Sequence, residues 1–162
     1  MGGRINPLTE VAEYHYAIDF APVGTDRTEQ VEAYTDGMVV YTGNHWSYGN
    51  NVIVQHLADN GKYYYTWYSH LTYFDVEVGQ QVSTGDSLGR IGQSGTATGP
   101  HIHLSVLSGD RLDELAAEGS TIEPYHNNVN GANESYFNNG NGTYYYNPEY
   151  VFEQGPDFEP VH

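Results

Sequence analysis

Gly99-Pro100-His101-Ile102-His103 holds two histidines one residue apart, and far upstream His15 and Asp19 stand four apart. In an extended strand, side chains at i and i+2 leave on the same face, so His101 and His103 can address one point in space. The same parity holds along His15, Ala17 and Asp19, where the residue in between is small enough to leave room for an ion. Two neutral imidazoles and one carboxylate leave Zn²⁺ with net positive charge. Three protein ligands leave the fourth position for water, the arrangement of a catalytic zinc site rather than a closed structural one. The chain has no cysteine, so any metal must be held by His, Asp or Glu. These residues point to a zinc hydrolase.

The elements that must carry them are strands. From Tyr14 to Val106 the chain is made of short runs rich in Val, Ile, Tyr and Thr, separated by glycine-containing turns, which is the pattern of an antiparallel β fold. Strands are expected at Tyr14 to Phe20, Gln30 to Ala33, Gly37 to Gly43, Asn51 to Leu57, Tyr63 to His70, Gln81 to Ser83, Ser87 to Ile91 and His101 to Leu107. Asp36-Gly37, Gly49-Asn50-Asn51, Asp59-Asn60-Gly61, Val78-Gly79 and Thr84-Gly85-Asp86 supply turns between them. One helix is expected, Arg111 to Glu118, with Leu112, Leu115 and Ala116 on one side and Gly119 as its stop. The stretch from Tyr125 to Asn147, crowded with Asn, Gly and Tyr, reads as a long surface loop. Asn147 to Phe152 is expected to return and close the domain, and Gln154 to His162 read as a frayed tail. A single domain over 1–153, with an insertion at about 109–146, fits the length of 162 residues.

The net charge of -16 comes from missing base rather than from abundant acid. Charged residues make up only 16% of the chain, with Lys62, Arg4, Arg27, Arg90 and Arg111 facing 21 acids. Without a basic stripe to neutralise phosphates, nucleic acid is excluded as a partner, and so is an anionic membrane surface. No run of about 18 apolar residues is present to cross a membrane as a helix. Met1-Gly2-Gly3-Arg4 does not read as a secretory signal, so the chain is expected to be a piece of a longer protein or to travel by another route.

The order of the motifs resembles the lysostaphin and LytM type of peptidoglycan metalloendopeptidase over roughly Gly3 to Val106, with a weaker return at Asn147-Pro148. The matching segments are Gly2-Gly3-Arg4-Ile5-Asn6-Pro7, His15-Tyr16-Ala17-Ile18-Asp19 with the turn Ala21-Pro22-Val23-Gly24, Tyr68-Ser69-His70-Leu71, and Gly95-Thr96-Ala97-Thr98-Gly99-Pro100-His101-Ile102-His103. The resemblance implies a mainly β, barrel-sandwich-like catalytic domain that binds one zinc ion per chain. It implies His15, Asp19 and His103 as metal ligands, with His70 and His101 as the unliganded catalytic pair. It also implies bacterial peptidoglycan peptides as substrate. Ala17 departs from the family's usual glycine, which matters only if the backbone there needs positive φ.

In the chemistry this implies, His101 serves as general base and His70 stabilises the oxyanion or donates to the leaving amine. Among the other histidines, His56 is expected to support its strand or hydrogen-bond a ligand, and His45, His126 and His162 are expected to be solvated. Tyr16, Tyr48, Tyr64 and Tyr73 are groove candidates by composition alone. Three other readings compete. One is a non-catalytic wall-binding or activator module of the same fold, which the full ligand set disfavours. Another is a phage-tail component carrying the enzyme locally, which the acidic charge and the chain start motivate. The third is a D-alanyl-D-alanine zinc carboxypeptidase, which shares the H-x-H theme but fits His15 to Asp19 less well. The expected place of action is extracellular, facing the cell wall, by secretion or on a virion, with a wall-binding module outside this chain as an expected partner.

Overall fold

A computed structural model of the chain describes residues 2–5, 12–15, 17–22, 29–109, 136–138, 143–146 and 148–160. Thirteen strands are described: β1 (Gly2–Ile5), β2 (Ala12–His15), β3 (Ile18–Phe20), β4 (Gln30–Glu32), β5 (Gly37–His45), β6 (Gly49–Leu57), β7 (Tyr63–Leu71), β8 (Tyr73–Phe74), β9 (Gln81–Val82), β10 (Ser87–Arg90), β11 (Ile102–Gly109), β12 (Tyr136–Asn138) and β13 (Thr143–Tyr146). One helix, α1 (Pro148–Gln154), follows, and a 3₁₀ turn over Gly155–Asp157 continues it.

The main sheet runs β12-β13-β11-β7-β6-β5-β9, and β3 also pairs with β11. Smaller sheets are formed by β1 with β2 and by β4-β10-β8. Every pairing is antiparallel. Among the described residues the main sheet does not close on itself, and the mainly β, antiparallel architecture is the one expected. The edges of the main sheet are β9 and β12.

Register decides which residues share a face, because directly opposed residues of an antiparallel pair project together. Leu104 lies opposite Ile18 on β3 and opposite Tyr68 on β7, and Tyr68 lies opposite Val52 on β6. These four belong to the large core cluster with Val39, Val54, Leu71, Leu88 and Ile102. Each such aliphatic side chain withdrawn from water stabilises the fold by about 1.5–3 kcal/mol. The other face of the same strands carries Asp19, His103 and Ser69 in one row. A second, aromatic cluster of Ile53, Tyr65, Trp67 and Leu107 accompanies it, with Tyr41 and Tyr48 packed alongside.

Three expectations change. The strand expected over Tyr14 to Phe20 is two strands, β2 ending at His15 and β3 starting at Ile18, with a bend at Ala17. Parity along one strand therefore does not link His15 to Asp19. The surface loop expected over Tyr125 to Asn147 contains β12 and β13, which pair with each other and extend the sheet beyond β11. Tyr and Thr at 136, 143, 144, 145 and 146 are strand formers, and that preference outweighs the surrounding Asn and Gly. The tail is not frayed over its described part. Phe158 is 2% exposed and packs edge-on against Tyr64 and Tyr146, and Asn60 Nδ2 donates to Pro160 O at 2.9 Å. The helix expected at Arg111 to Glu118 lies outside the described residues.

Candidate active site

The two histidines of the H-x-H segment meet Asp19. Cross-strand pairing sets His103 directly opposite Asp19, and the His103 Nδ1 to Asp19 Oδ1 distance is 3.1 Å. His101 reaches the same carboxylate oxygen from two residues upstream, with Nε2 at 3.9 Å. The i, i+2 expectation for this segment therefore holds, and Asp19 Oδ1 lies where the two rings converge.

His70 joins them through a break in strand regularity. Between β6 and β7, Asn50 pairs with Leu71 and Val52 with Tyr68, so Asn51 alone faces both Ser69 and His70. The bulge places His70 at φ 64°, the one non-glycine with positive φ among the described residues. Bulges re-aim side chains, and backbone strain of this kind costs about 1–3 kcal/mol unless the surroundings hold it. Here they do. His70 N–H donates to Tyr48 O at 2.8 Å, and Ser94 N–H donates to His70 O. The result is a ring centred 4.8 Å from that of His101 and 5.8 Å from that of His103.

Hydrogen bonds to carbonyls fix the tautomers, because a carbonyl can only accept. His70 Nδ1–H donates to Ser94 O and His101 Nδ1–H donates to Gly99 O, both at 2.8 Å. Each neutral ring then carries its lone pair on Nε2, so both histidines rest as proton acceptors. The His70 pKa is pushed down to about 4, chiefly by burial and also by His103 and His101, against the raising effects of the Ser94 bond and of Asp19. Ala17 is buried and does not have positive φ, so the methyl that replaces the family's glycine is accommodated.

Zinc suits the donors that are present: an aspartate oxygen and an imidazole Nδ1 are both ordinary zinc ligands. Among the described residues no group of three His, Cys, Asp or Glu is arranged to hold a metal. The third expected ligand, His15, has a described backbone at the end of β2, opposite Gly2. Its side chain lies outside what the structure describes.

Of the groove candidates, Tyr48 stands at the cluster. Its ring is 6.0 Å from that of His103, 6.5 Å from that of His70, and 4.6 Å from that of Trp67. Tyr64 is buried instead against His56 and Phe158, where desolvation raises its pKa. Tyr73 is exposed on β8 and accepts a bond from Arg90 Nε. Tyr16 lies outside the described residues, as do His126 and His162. His56 supports its strand and does not touch a ligand. Its two nitrogens bond Asp36 O and Thr66 Oγ1. His45 is not a solvated loop residue, because it ends β5 and bonds the following turn.

Residues not anticipated from sequence are Ser94, Thr96 and Asn51. Ser94 Oγ accepts from Asn50 N–H and donates to Leu71 O. Thr96 N–H donates to Ser47 O, and Asn51 Nδ2 donates to Gly49 O. Together they join the 45–50 turn to the 94–96 loop. The sequence signal for this is glycine. A Cβ at Gly49 would collide with Ser94 and one at Gly95 with Ser47, and both glycines have positive φ.

Comparison with known proteins adds three findings. The sequence profile described as Peptidase family M23 matches residues 13–114. Peptidoglycan DD-endopeptidase ShyA of Vibrio cholerae is 41% identical over 105 residues, 64% of this chain and 23% of its own length. Two solved structures share the fold. A zinc-containing peptidase from Vibrio cholerae superposes with a TM-score of 0.55 at 32% identity, covering 65% of this chain and 32% of that one. The catalytic domain of lysostaphin from Staphylococcus simulans superposes with a TM-score of 0.52 at 28% identity, covering 63% and 73%. The chain spans about a quarter of the length of the curated relatives it matches.

Proposed function

The chain belongs to peptidase family M23, and on that premise we propose that it is a zinc metalloendopeptidase hydrolysing peptide bonds in the stems or cross-bridges of bacterial peptidoglycan. The observation that carries the reading is the convergence of His101 and His103 on Asp19 with the His70 ring beside both, and with His70 and His101 each keeping Nε2 as an acceptor. ShyA is named for cleaving peptidoglycan, and its similarity supports the choice of substrate.

Asp19 and His103 would hold the zinc, with His15 as the third ligand the family implies. Bound there, zinc would polarise the scissile carbonyl and lower the pKa of the attacking water toward neutrality. His101 takes the proton of that water at Nε2, its ring oriented for the task by the Nδ1–H bond to Gly99 O. His70 stabilises the oxyanion or protonates the leaving amine once its own Nε2 has accepted the proton taken from the water, its ring lying 4.8 Å from that of His101. The Ser94 bond keeps its Nδ1 proton out of the exchange.

Apart from β3, which brings Asp19, the segments that build this face are free of formal charge. Residues 37–58, 63–74 and 91–109 contain no Asp, Glu, Lys or Arg, so the acidic excess is carried elsewhere in the chain. A face of this kind favours neutral amide backbone through hydrogen bonds and aromatic contact. Long-range attraction to a phosphate-rich wall is absent at net charge -16. Delivery therefore falls to a wall-binding module or a carrier particle such as a phage tail, with action at the wall outside the cell.

Purified sacculi of several cross-bridge types, digested with the zinc-loaded protein, should yield new amino and carboxyl termini by mass spectrometry. A chelated sample should yield none. Absence of new termini from every sacculus type, in a sample holding one zinc per chain, would overturn the assignment.

A further inference from the structure

The turn that follows β5 is capped in an unusual way. His45 Nδ1 accepts the backbone N–H of Ser47 at 3.2 Å and of Tyr48 at 3.4 Å. These are the donors that the side-chain oxygen of an Asn or Asp takes in an Asx turn, so the imidazole imitates that cap. Accepting at Nδ1 puts the proton of the neutral ring on Nε2, which is buried without a hydrogen-bond partner among the described residues. An orphaned N–H carries a desolvation cost and asks for a compensating gain. The ring supplies one by lying between two aromatic neighbours, 5.6 Å from Trp46 and 5.4 Å from Tyr48, centroid to centroid.

The capped residue reaches the cluster directly. Tyr48 receives the His45 bond through its N–H and, through its own carbonyl, holds the backbone N–H of His70. Ser47, the other capped residue, accepts from Thr96 N–H and from Thr96 Oγ1. Two residues before Thr96, Ser94 supplies the carbonyl that takes His70 Nδ1–H. Both hydrogen-bonding grips on His70, backbone and ring, thus lead back to the turn that His45 closes. They are also what keeps His70 at positive φ.

From this we propose that His45 is a positioning residue for His70, acting through the Tyr48 and Ser47 peptides, an inference that rests on the reading of His70 as catalytic. Two substitutions separate the cap from the ring. His45→Asn keeps an acceptor at the capping position and removes the aromatic contact. His45→Phe keeps the ring and removes the acceptor.

The first measurement is the His70 Nδ1–H proton by NMR, which needs neither zinc nor substrate. It should remain slowly exchanging in His45→Asn and exchange fast or broaden in His45→Phe. The second is hydrolysis of sacculi, where His45→Phe should lose roughly 10- to 100-fold in kcat with little change in KM, and His45→Asn should stay within a few-fold of wild type. A His70 proton equally protected in both variants, or equally lost in both, overturns the proposal. Absence of wild-type hydrolysis would instead count against the peptidoglycan reading, and the NMR comparison would still decide the role of His45.

Discussion

Strand β7 has a buried histidine beside each of its ends, and the two are in opposite conditions. Near its start, His56 on β6 bonds Asp36 O through Nδ1 and Thr66 Oγ1 through Nε2, both at 2.8 Å, and is 1% exposed. Near its end, His70 spends one nitrogen on Ser94 O and keeps the other as a free acceptor among His101, His103 and Asp19. Burial is the largest cause of a lowered pKa in both, to about 4 in each case. A perturbed pKa therefore does not tell the two regions apart. What separates them is hydrogen-bonding capacity left over after the fold has been satisfied, together with the strained backbone that holds it in place.

Removing the leftover capacity should give the largest effect. His70→Ala or His101→Ala should lower hydrolysis of sacculi by about 10²–10⁴, the usual contribution of a positioned acid or base. Zinc stoichiometry by elemental analysis should stay at the wild-type value. The opposite region should respond in the opposite way. His56→Ala removes the partner of the buried Thr66 Oγ1 and leaves a cavity, so it should cost about 2–4 kcal/mol by urea denaturation. Activity per folded molecule should not change. Loss of turnover in the His56 variant at full folding would erase the distinction between the two histidines.

Metal should act at one end only. A ligand bound to the native state alone stabilises by RT ln(1 + [L]/Kd), about 4 kcal/mol when free zinc exceeds Kd by about a thousandfold. Melting temperature should rise with zinc and return to its starting value with excess chelator. Under conditions where hydrogen exchange proceeds by local opening, it should slow at residues 18–20, 70 and 101–103 and stay unchanged at 55–57. Protection spread evenly over both ends of β7 would mean that the ion sits elsewhere.

Acid should act at both ends. Between about pH 6.5 and pH 4 the unfolded chain binds protons at these histidines while the folded chain does not, so stability rises with pH across that window. It is present in full above about 6.5 and is lost as pH falls toward 4. For His56, a displacement from 6.5 to about 4 corresponds to about 3 kcal/mol. Denaturation of metal-free protein at steps between pH 7 and pH 4.5 should show this slope. His56→Gln should retain only the His70 part of it. A variant with the wild-type slope would place the responsible proton on another group.

The sequence made one end of β7 much more legible than the other. His101 and His103 are readable because alternation along an extended segment follows from spacing, whereas Asp19 meets them through a pairing of β3 with β11 that parity with His15 does not give. His70 was identified from its motif, but its placement depends on a bulge opposite Asn51 that no periodicity announces. Ser94 escapes a reading of side chains, and Tyr48 is legible only as a groove tyrosine, because both hold His70 through backbone carbonyls, which every residue type possesses. His56 stood ambiguous because burial and partners, not sequence spacing, assign its role. Strands β12 and β13 were hidden by Asn and Gly, although their Tyr and Thr carry the β preference. Phe158, in a segment that reads as a tail, packs against Tyr64 and Tyr146 from three separate parts of the chain, a contact that only the folded topology creates.

The smallest effect sharpens the comparison most, because it sets two hydroxyls three residues apart on β7 against each other. Thr66 and Ser69 are both completely buried. Thr66 Oγ1 bonds His56 Nε2, whereas Ser69 Oγ, beside His103 in the sheet, has no partner. Losing a paired hydroxyl leaves the other group orphaned, while losing an unpaired one removes a desolvation cost already incurred. Thr66→Val should therefore destabilise by about 1–3 kcal/mol, and Ser69→Ala should lie at or above wild type by up to about 1 kcal/mol, both by denaturation of the metal-free protein. Equal destabilisation by the two would show that Ser69 is paired after all and that the unused hydrogen-bonding capacity of this end is confined to the imidazoles.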